Sequence, residues 1–367
     1  MGATYDACMP ESEDAPHVDT PGASTAHGRD RSRPPRMSDV AEVAGVSHQT
    51  VSRVLNDFPK IRPATRDRVL AAIEELGYRR NRAARTLVTR RSKAIGVITA
   101  DMNHFGPANI MLGLESASRE AGYSLSLTAL PEISTTALRS AVDQLLDQAV
   151  EAVVMVVAHQ TALTLAQSLH IAVPLVLVEG DLSATPLTAG VDQIAGARRA
   201  TTHLLDLGHQ SVLHLPGPAD WVEAAARQEG WRTALEERGR PVPALMARGD
   251  WSSRSGYESG QAMLQQLRPI RPTAVFAAND QMALGLLRAL QVAGLRVPGD
   301  VSVVGFDDIP ESGYFSPPIT TVRQDFPELG RRTMALVLRV LDGELEASEP
   351  LVQPQLIVRS STAAPAH

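Results

Sequence analysis

The sequence has little of several features that mark whole classes of protein. Its 367 residues contain a single cysteine, Cys8, so one chain can form neither an internal disulfide framework nor a cysteine-based zinc finger. No apolar run approaches the roughly 18 residues that a membrane helix needs. The N-terminus lacks the basic segment and apolar core of a secretory signal. We therefore expect a soluble cytoplasmic protein of two or three domains.

Charge is unevenly distributed along the chain. The formal net charge is −6, yet residues 31–93 carry 15 basic and 6 acidic side chains. Residues 1–30 carry 1 basic and 6 acidic side chains, and residues 94–367 carry 19 basic and 29 acidic ones. A compact basic segment on an acidic body is typical of a module that binds a polyanion. Charge alone leaves DNA, RNA and an anionic membrane open as partners.

Composition divides the chain into five segments. Residues 1–36 are rich in Pro, Ser, Asp, Gly and Ala without apolar periodicity, which predicts a disordered leader. Residues 37–78 read as three short helices, and residues 79–93 form a basic connector with too few apolar residues to be helical alone. Over residues 94–362, strand-like runs alternate with helical stretches, which predicts βαβ units and parallel sheets. Residues 363–367 form a short tail.

The α/β region is too long for one parallel sheet, so we expect two lobes with a cleft between them. The predicted strands are the runs AIGVIT, SLSLTAL, AVVMVV, PLVLV, SVLHL, TAVFAA and VSVVGF. The predicted helices lie at 109–121, 135–148, 193–207, 222–238, 253–268 and 280–293.

The segment DVAEVAGVSHQTVSRVLN, residues 39–56, predicts a helix-turn-helix. Gly45 permits the left-handed backbone of a tight turn, and Ser47 suits the N-cap of the second helix. Pro63 suits the first turn of a third helix that ends before Gly77. The predicted fold is therefore an N-terminal all-α helix-turn-helix domain followed by a two-lobed α/β domain with two parallel sheets.

Polar side chains of the second helix point away from its valine face, near the helix N-terminus that enters the major groove in such domains. Gln49 can pair with adenine and Arg53 with guanine, while Ser47 and Thr50 suit phosphates. The candidate DNA-binding residues in this segment are Ser47, His48, Gln49, Thr50, Ser52, Arg53 and Asn56.

This segment resembles the DNA-binding domain of the LacI/GalR family of transcriptional regulators, and the resemblance continues over residues 38–360. It implies that residues 81–89 form a hinge helix that folds on operator DNA, and that Leu87 wedges into the minor groove. The implied hinge contacts come from Asn81, Arg82, Ala84 and Leu87. Two residues depart from the family pattern: Arg80 replaces a proline, and Arg62 replaces a capping serine.

Polar side chains follow several predicted strands, at the sheet edge where open parallel sheets bind ligands. They are Asp101, Glu179, Asn279, Asp280, Asp307 and Asp308. We expect Asp280 only to cap the helix 281–290 and Asp308 to be structural. The set lacks a nucleophile–base pair, a metal cluster and a phosphate-binding glycine loop, so it favours a bound sugar over enzyme chemistry or a cofactor.

The family resemblance completes this candidate site. It adds a guanidinium and amides, which pair with vicinal hydroxyls, and an indole, which stacks on a sugar ring. Val191 stands where similar members have phenylalanine, which implies a larger pocket. The implied effector-binding residues are Asp101, Gly106, Pro107, Ile110, Glu179, Val191, Arg227, Trp251, Asn279, Asp307, Gln324 and Phe326. Trp221 and Trp231 are expected to be packing residues.

These observations favour a homodimeric repressor that binds double-stranded operator DNA at the nucleoid and is released by a galactoside-like sugar. The chain shows no leucine heptads near its C-terminus, which favours a dimer over a tetramer. The alternatives are a family member that responds to a β-glucoside or β-xyloside, a regulator that needs a corepressor, a sugar-binding protein without DNA, and an enzyme. The absence of a secretory signal argues against a sugar-binding protein that does not bind DNA, and the polar pocket argues against a purine corepressor.

Overall fold

The structure is a computed structural model that describes residues 33–79, 91–156, 159–169, 171–179, 187–266, 272–344 and 349–366. The chain divides into two compact units between Arg82 and Ala83. Residues 1–32 of the predicted leader and residues 80–90 of the predicted connector lie outside the described residues.

The first unit contains α1 (Met37–Ala44), α2 (His48–Leu55) and α3 (Pro63–Leu76). Its turns form as the sequence predicts. Gly45 adopts φ +62° after α1, and Gly77 adopts φ +60° after α3. Both angles lie in the left-handed region, which residues with a Cβ rarely occupy. The side chain of Arg62 makes no capping hydrogen bond to α3, so this helix begins without a side-chain cap.

Valines from all three helices form the core of this unit. Val40, Val51 and Val69 are fully buried and pack in one cluster, so each helix contributes a valine to the core. Ala44, Ala72 and Tyr78 also belong to it. Periodicity does not reveal these members, because alanine is tolerated on either face of a helix and Tyr78 lies beyond the last helical turn.

The first lobe of the second unit is built on a parallel sheet in the order β2-β1-β3-β4-β5. Its strands are β1 (Ala94–Thr99), β2 (Ser124–Ala129), β3 (Ala152–Val156), β4 (Leu175–Val178) and β5 (Thr188–Ala189). Its helices are α4 (Phe105–Glu120), α5 (Thr135–Asp147), α6 (Gln160–Gln167) and, much later in the chain, α11 (Phe326–Leu341). Helices α4 and α11 cover one face of the sheet, and α5 and α6 cover the other.

The second lobe is built on a parallel sheet in the order β6-β7-β8. These strands are β6 (Leu213–Leu215), β7 (Ala274–Ala277) and β8 (Ser302–Val304), and a 3-10 helix, Pro310–Tyr314, follows β8. The helices are α7 (Gln193–Asp206), α8 (Val222–Glu237), α9 (Ser253–Gln266) and α10 (Asp280–Val292). An antiparallel ribbon joins β9 (Thr321–Arg323) to β10 (Gln355–Ile357).

Strands covered on both faces are expected to be apolar throughout. All five residues of β3 and all four of β7 are buried, which explains why their sequences, AVVMV and AVFA, do not alternate. The two predicted parallel sheets are confirmed. Among the described helices, none combines the length and apolar character needed to cross a lipid bilayer.

The chain passes between the lobes at 191–193, 324–326 and 352–355. The sequence predicted the two lobes but not the return of α11 to the first lobe, nor α6, β5 and the β9–β10 ribbon. Strands of two or three residues are too short to show a period. Beyond the predicted boundary at residue 362, Ala363 still pairs with Ser302, since its N–H lies 3.1 Å from Oγ.

Candidate functional site

The polar face of α2 forms a candidate nucleic-acid surface in the first unit. The Oγ of Ser47 accepts a hydrogen bond from the Thr50 N–H at 3.2 Å and caps the helix. His48, Gln49 and Arg53 are exposed on the face opposite the buried valines, so their side chains are accessible from solvent. Ser52 is half-buried and Asn56 is exposed at the C-terminal end of α2.

Arg53 is held beside an aromatic ring. Its guanidinium carbon lies 5.6 Å from the centre of the Phe58 ring, a cation–π distance that contributes about 0.5–1 kcal/mol at exposed sites. This contact restricts the directions in which the guanidinium can point. The hinge candidates Asn81, Arg82, Ala84 and Leu87 lie outside the described residues.

A cavity of about 280 Å³ lies between the two lobes of the second unit. One wall comes from the segment that opens α4, and the other from the strand ends and helix starts of the second lobe. The lining residues are Asn103, His104, Phe105, Gly106, Pro107, Trp221, Glu223, Arg227, Trp251, Ser252, Asn279, Gln281 and Asp307. Six of the predicted effector residues are therefore brought together here: Gly106, Pro107, Arg227, Trp251, Asn279 and Asp307.

Arg227 is the cationic centre of the cavity. It is buried on α8, and its Nη2 lies 3.3 Å from Oδ1 of Asp307. Its Nη1 donates to the carbonyl of Ala278 at 2.6 Å, and its Nε donates to Oε1 of Gln193 at 2.9 Å. Such buried charge is tolerated because every side of the guanidinium has a partner.

A chain of amides extends this pairing back to the first lobe. Gln193 donates to Oε1 of Gln324 at 2.8 Å and to Oε2 of Glu179 at 3.2 Å. Gln324 in turn donates to Oδ1 of Asp307 at 2.8 Å. Glu179 and Gln324 thus stand behind the cavity wall and support Arg227 and Asp307. Sequence reasoning missed Gln193, which opens α7 without following a strand directly.

Burial raises the pKa of the carboxyls in this cluster. The pKa of Asp307 rises to about 6 because burial outweighs the stabilising Arg227 guanidinium and Gln324 amide. Burial likewise raises the pKa of Glu179 to about 7, against hydrogen bonds from Val191 and Gln193. For Glu223, burial and the nearby Glu179 carboxyl raise the pKa well above its usual range. Two carboxyl groups, those of Glu223 and Asp307, line the cavity beside the single guanidinium of Arg227.

Two tryptophans form the aromatic wall. The rings of Trp221 and Trp251 meet edge to face, with centres 5.4 Å apart. Gly217 lets the Trp251 ring approach, because a Cβ there would lie 2.3 Å from a ring carbon. Trp231 packs in the core, where its Nε1 donates to Val212, as predicted. Trp221 was expected only to pack, but it also lines the cavity, because it precedes α8 at the cleft edge.

Asn279, not Asp280, is the N-cap of α10, and this corrects the sequence prediction. The Oδ1 of Asn279 accepts from the Met282 N–H at 2.9 Å, and its Nδ2 lies 3.1 Å from the Trp251 carbonyl. Asp280 is fully buried and accepts from Thr321 and Ile309 instead. Asp308 binds Arg323 and Arg359, which agrees with the predicted structural role.

Asp101 belongs to a contact that joins the lobes at the cleft edge. Its Oδ2 lies 2.7 Å from Nε2 of His159, whose Nδ1 lies 3.3 Å from Oδ2 of Asp220. Thr161 also donates to Asp220 at 3.0 Å. The His159 ring packs against Trp221. We call Asp101, His159 and Asp220 the clasp. Sequence reasoning missed His159, which lies two residues beyond the end of the predicted strand AVVMVV.

The other predicted effector residues lie behind the cavity. Ile110 and Phe326 are buried in the core of the first lobe, and the Phe326 ring meets that of Phe105 at 5.9 Å. Val191 is buried, and its N–H donates to Glu179. Within the described residues, no group of three or more His, Cys, Asp or Glu side chains could hold a metal ion.

Several site residues adopt left-handed backbone conformations. The φ angles are +54° at Asp101, +62° at Glu179, +72° at Trp251 and +104° at Asp307. Such angles are strained for residues other than glycine, and strain of this kind concentrates at functional sites.

Two family models match the chain. Residues 36–81 match the lacI family of bacterial regulatory proteins, and residues 201–362 match a periplasmic binding protein-like domain. The lactose operon repressor of Escherichia coli (strain K12) is 36% identical over 342 residues, which cover 91% of this chain and 92% of that repressor.

Solved structures give the same result. The lac repressor dimer bound to operator and the anti-inducer ONPF matches with a TM-score of 0.81 at 35% identity, covering 90% of this chain and 100% of that one. A transcriptional regulator CelR–cellobiose complex matches with a TM-score of 0.66 at 32% identity, covering 89% and 99%. The helix-turn-helix with its exposed polar face on α2, the cavity between two lobes and these similarities together show that the chain belongs to the lacI family of bacterial regulatory proteins.

Proposed function

We propose that this chain is a transcriptional repressor that leaves a palindromic operator when a small neutral sugar binds between the lobes. The observation that carries the proposal is the cavity, which Arg227, Asp307, Asn279 and Trp251 line together. Planar polar groups pair with vicinal hydroxyls, and an indole covers the apolar face of a sugar ring. Nothing in this set requires the chain to convert its ligand, so we propose binding and not catalysis.

The residues around the cavity have different roles in this proposal. Arg227, Asp307 and Asn279 bind hydroxyls, Trp251 stacks on the ring, and Gly106 with Pro107 forms the opposite wall. Behind them, Glu179, Gln193 and Gln324 orient Arg227 and Asp307. The remaining predicted residues do not line the cavity. Ile110, Val191 and Phe326 pack behind its wall, and Asp101 belongs to the clasp.

In the first unit, His48, Gln49 and Arg53 read base edges, while Ser47 and Thr50 approach phosphates. Ser52 and Asn56 lie on or next to the same surface. We propose that Asn81, Arg82, Ala84 and Leu87 add the minor-groove contacts of a hinge. A palindromic operator has twofold symmetry, which a homodimer matches.

Repression requires that sugar and operator favour different states of the dimer. If sugar stabilises the state with low operator affinity, linkage requires operator DNA to weaken sugar binding by the same factor. The proposed repressor acts in the cytoplasm, on the DNA of the nucleoid.

Two sugar classes are supported by named relatives. The similarity to the lactose operon repressor supports a galactoside, and the CelR–cellobiose complex supports a β-glucoside. The residues of the cavity bind hydroxyls in either class, so the choice depends on which ring positions face Arg227 and Asp307.

The test is operator binding measured by fluorescence anisotropy at fixed salt. The DNA is the palindromic site upstream of the neighbouring genes, and lactose, cellobiose, xylobiose and purines are titrated into the complex. Release by lactose or cellobiose is the expected result. Tighter binding with any of these ligands would overturn the inducer mechanism, and release by none of the sugars would overturn the proposed ligand class.

A further inference from the structure

Two residues that line the cavity each carry a buried polar atom with no hydrogen-bond partner in the described part of the chain. The two atoms are Oε2 of Glu223 and Nε1 of Trp251. Glu223 is 8% exposed and Trp251 is 7% exposed, and both residues line the cavity. One is an oxygen that can accept a hydrogen bond, and the other is an N–H that can only donate.

Such atoms are rare in folded proteins because burying a polar group without a partner costs about 1–3 kcal/mol. The described residues contain three others, in Thr128, Thr201 and His214, and none of these three lines the cavity. Two unpartnered groups on one cavity are what a binding site looks like when the ligand supplies the missing partners.

The charge of the site favours a neutral ligand. Arg227 already contacts Asp307, Gln193 and Ala278, so its guanidinium is largely engaged. Asp307 pairs with Arg227, so an anion such as a sugar phosphate would find no unpaired guanidinium among the residues that line the cavity. Burial and the neighbouring carboxyls raise the pKa of Glu223, so an ammonium group would lack a fully ionised counterpart.

A hydroxyl suits Glu223 in either protonation state. It donates to the carboxylate, or it accepts from the carboxylic acid and donates to the carbonyl oxygen. An ether or hydroxyl oxygen of the same ligand suits the Trp251 N–H. A sugar carries both kinds of group on adjacent carbons of one ring.

We propose that Glu223 is a specificity-determining residue: its Oε2 hydrogen-bonds to one hydroxyl of a neutral, unphosphorylated sugar while the Trp251 N–H donates to another oxygen of that sugar. This inference rests on the proposed function, since it assigns new contacts within the same cavity. Neither Glu223 nor the indole N–H is identified by reading strand ends.

The experiment uses the full chain and the fluorescence of its tryptophans, two of which line the cavity. Lactose, cellobiose, their monodeoxy derivatives and an amino sugar are titrated into the wild type and into Glu223→Ala and Glu223→Gln. The matched control is Glu236→Ala on the same helix, where the carboxylate binds Arg232 at the surface. Operator anisotropy checks that each variant remains folded.

The expected result is that Glu223→Ala weakens binding of the active sugar about tenfold to hundredfold, as for hydrogen bonds to charged or buried groups. Glu223→Gln, which keeps an oxygen acceptor, stays within about tenfold of the wild type. One monodeoxy derivative binds the wild type weakly but loses that penalty in Glu223→Ala, which is the signature of a direct contact in a double-mutant cycle. Glu236→Ala binds like the wild type. Trp251→Phe keeps an aromatic ring but lacks the N–H donor, and calorimetry is expected to show a lower sugar affinity.

Three outcomes would overturn the inference. Equal sugar affinity in Glu223→Ala and the wild type would remove Glu223 from the site while leaving the proposed function intact. Equal losses in Gln and Ala variants, together with tighter binding of an amino sugar, would replace the hydroxyl by an ammonium. No binding of either sugar to the wild type would remove the proposed function and this inference together.

Discussion

Gln193 and Gln324 are hydrogen-bonded to each other, 2.8 Å apart, where two of the three crossings between the lobes run side by side. Gln193 also accepts from Arg227 and donates to Glu179. One amide therefore connects a strand end of the first lobe to the cationic centre of the second. A ligand that displaces Arg227 necessarily disturbs groups at both crossings.

Gln193→Ala is expected to weaken both stability and sugar binding. It leaves Arg227 Nε, Gln324 Oε1 and Glu179 each short of a partner, at a cost of about 1–3 kcal/mol. Urea unfolding and tryptophan-fluorescence titration measure the two effects. Gln353→Ala on the exposed part of the third crossing is the control, because among the described residues its amide bonds to Asp192 and Arg199. An unchanged stability in Gln193→Ala would show that the amide chain is not coupled to the fold.

Arg227→Ala is expected to abolish the sugar response while operator binding persists. Removing one partner of a buried ion pair destabilises a protein by about 3–5 kcal/mol, so the single variant confounds folding with function. The double variant Arg227→Ala with Asp307→Asn removes the stranded charge. It should unfold close to the wild-type urea midpoint and still ignore sugar in operator anisotropy. Full induction in this double variant would contradict the role of Arg227.

The clasp is expected to hold the lobes together around the ligand. His159→Ala removes contacts to Asp101 and Asp220 and should raise the sugar dissociation rate about twofold to tenfold, since partly exposed pairs contribute modestly. Stopped-flow tryptophan fluorescence measures this rate. Arg254→Ala, which removes an exposed pair with Glu258 on α9, should leave it unchanged. Identical dissociation rates in His159→Ala and the wild type would show that the clasp does not slow the release of sugar.

Arg53→Ala is expected to lose about 1–3 kcal/mol of operator affinity at one base pair per half-site. Anisotropy with a set of base-substituted operators locates that base pair. Phe58→Ala keeps the guanidinium but removes the ring that restrains it, so it should lower affinity less and at the same position. A uniform loss across all operators would make Arg53 a phosphate contact.

The buried carboxyls predict how stability depends on pH. Burial raises the pKa of Glu179 to about 7, so the folded second unit binds protons that the unfolded chain has released. That stabilisation is complete below the unfolded value of 4.5 and is lost as pH rises through about 7.

The free energy of unfolding should therefore fall between these two pH values, and Glu179→Gln should flatten the fall. Urea unfolding from pH 5 to 8 measures it, on the order of 1.4 kcal/mol for each unit of pKa difference. Glu258→Gln at an exposed position is the control. The same slope in Glu179→Gln and the wild type would assign the pH dependence to other groups.

Local chemistry made much of the fold predictable. Gly45, Ser47, Pro63 and Gly77 mark helix ends through backbone preferences that need no tertiary contact, and the structure places each as expected. The long apolar runs of β1 and β3 identify buried parallel strands for a similar reason. The cap of α10 was misassigned because Asn279 and Asp280 are both good cap residues, and only the packing of Asp280 against Thr321 decides between them.

The sequence by itself determined the helix-turn-helix, the two parallel sheets and most side chains that follow strands, because these depend on periodicity, turn residues and charge over short stretches. Only the tertiary structure decided which of those side chains meet. It returned α11 to the first lobe, placed Gln193 between Glu179 and Arg227, and left Glu223 and Trp251 facing one cavity. These contacts join residues far apart in the chain, and no local preference of the residues involved encodes them.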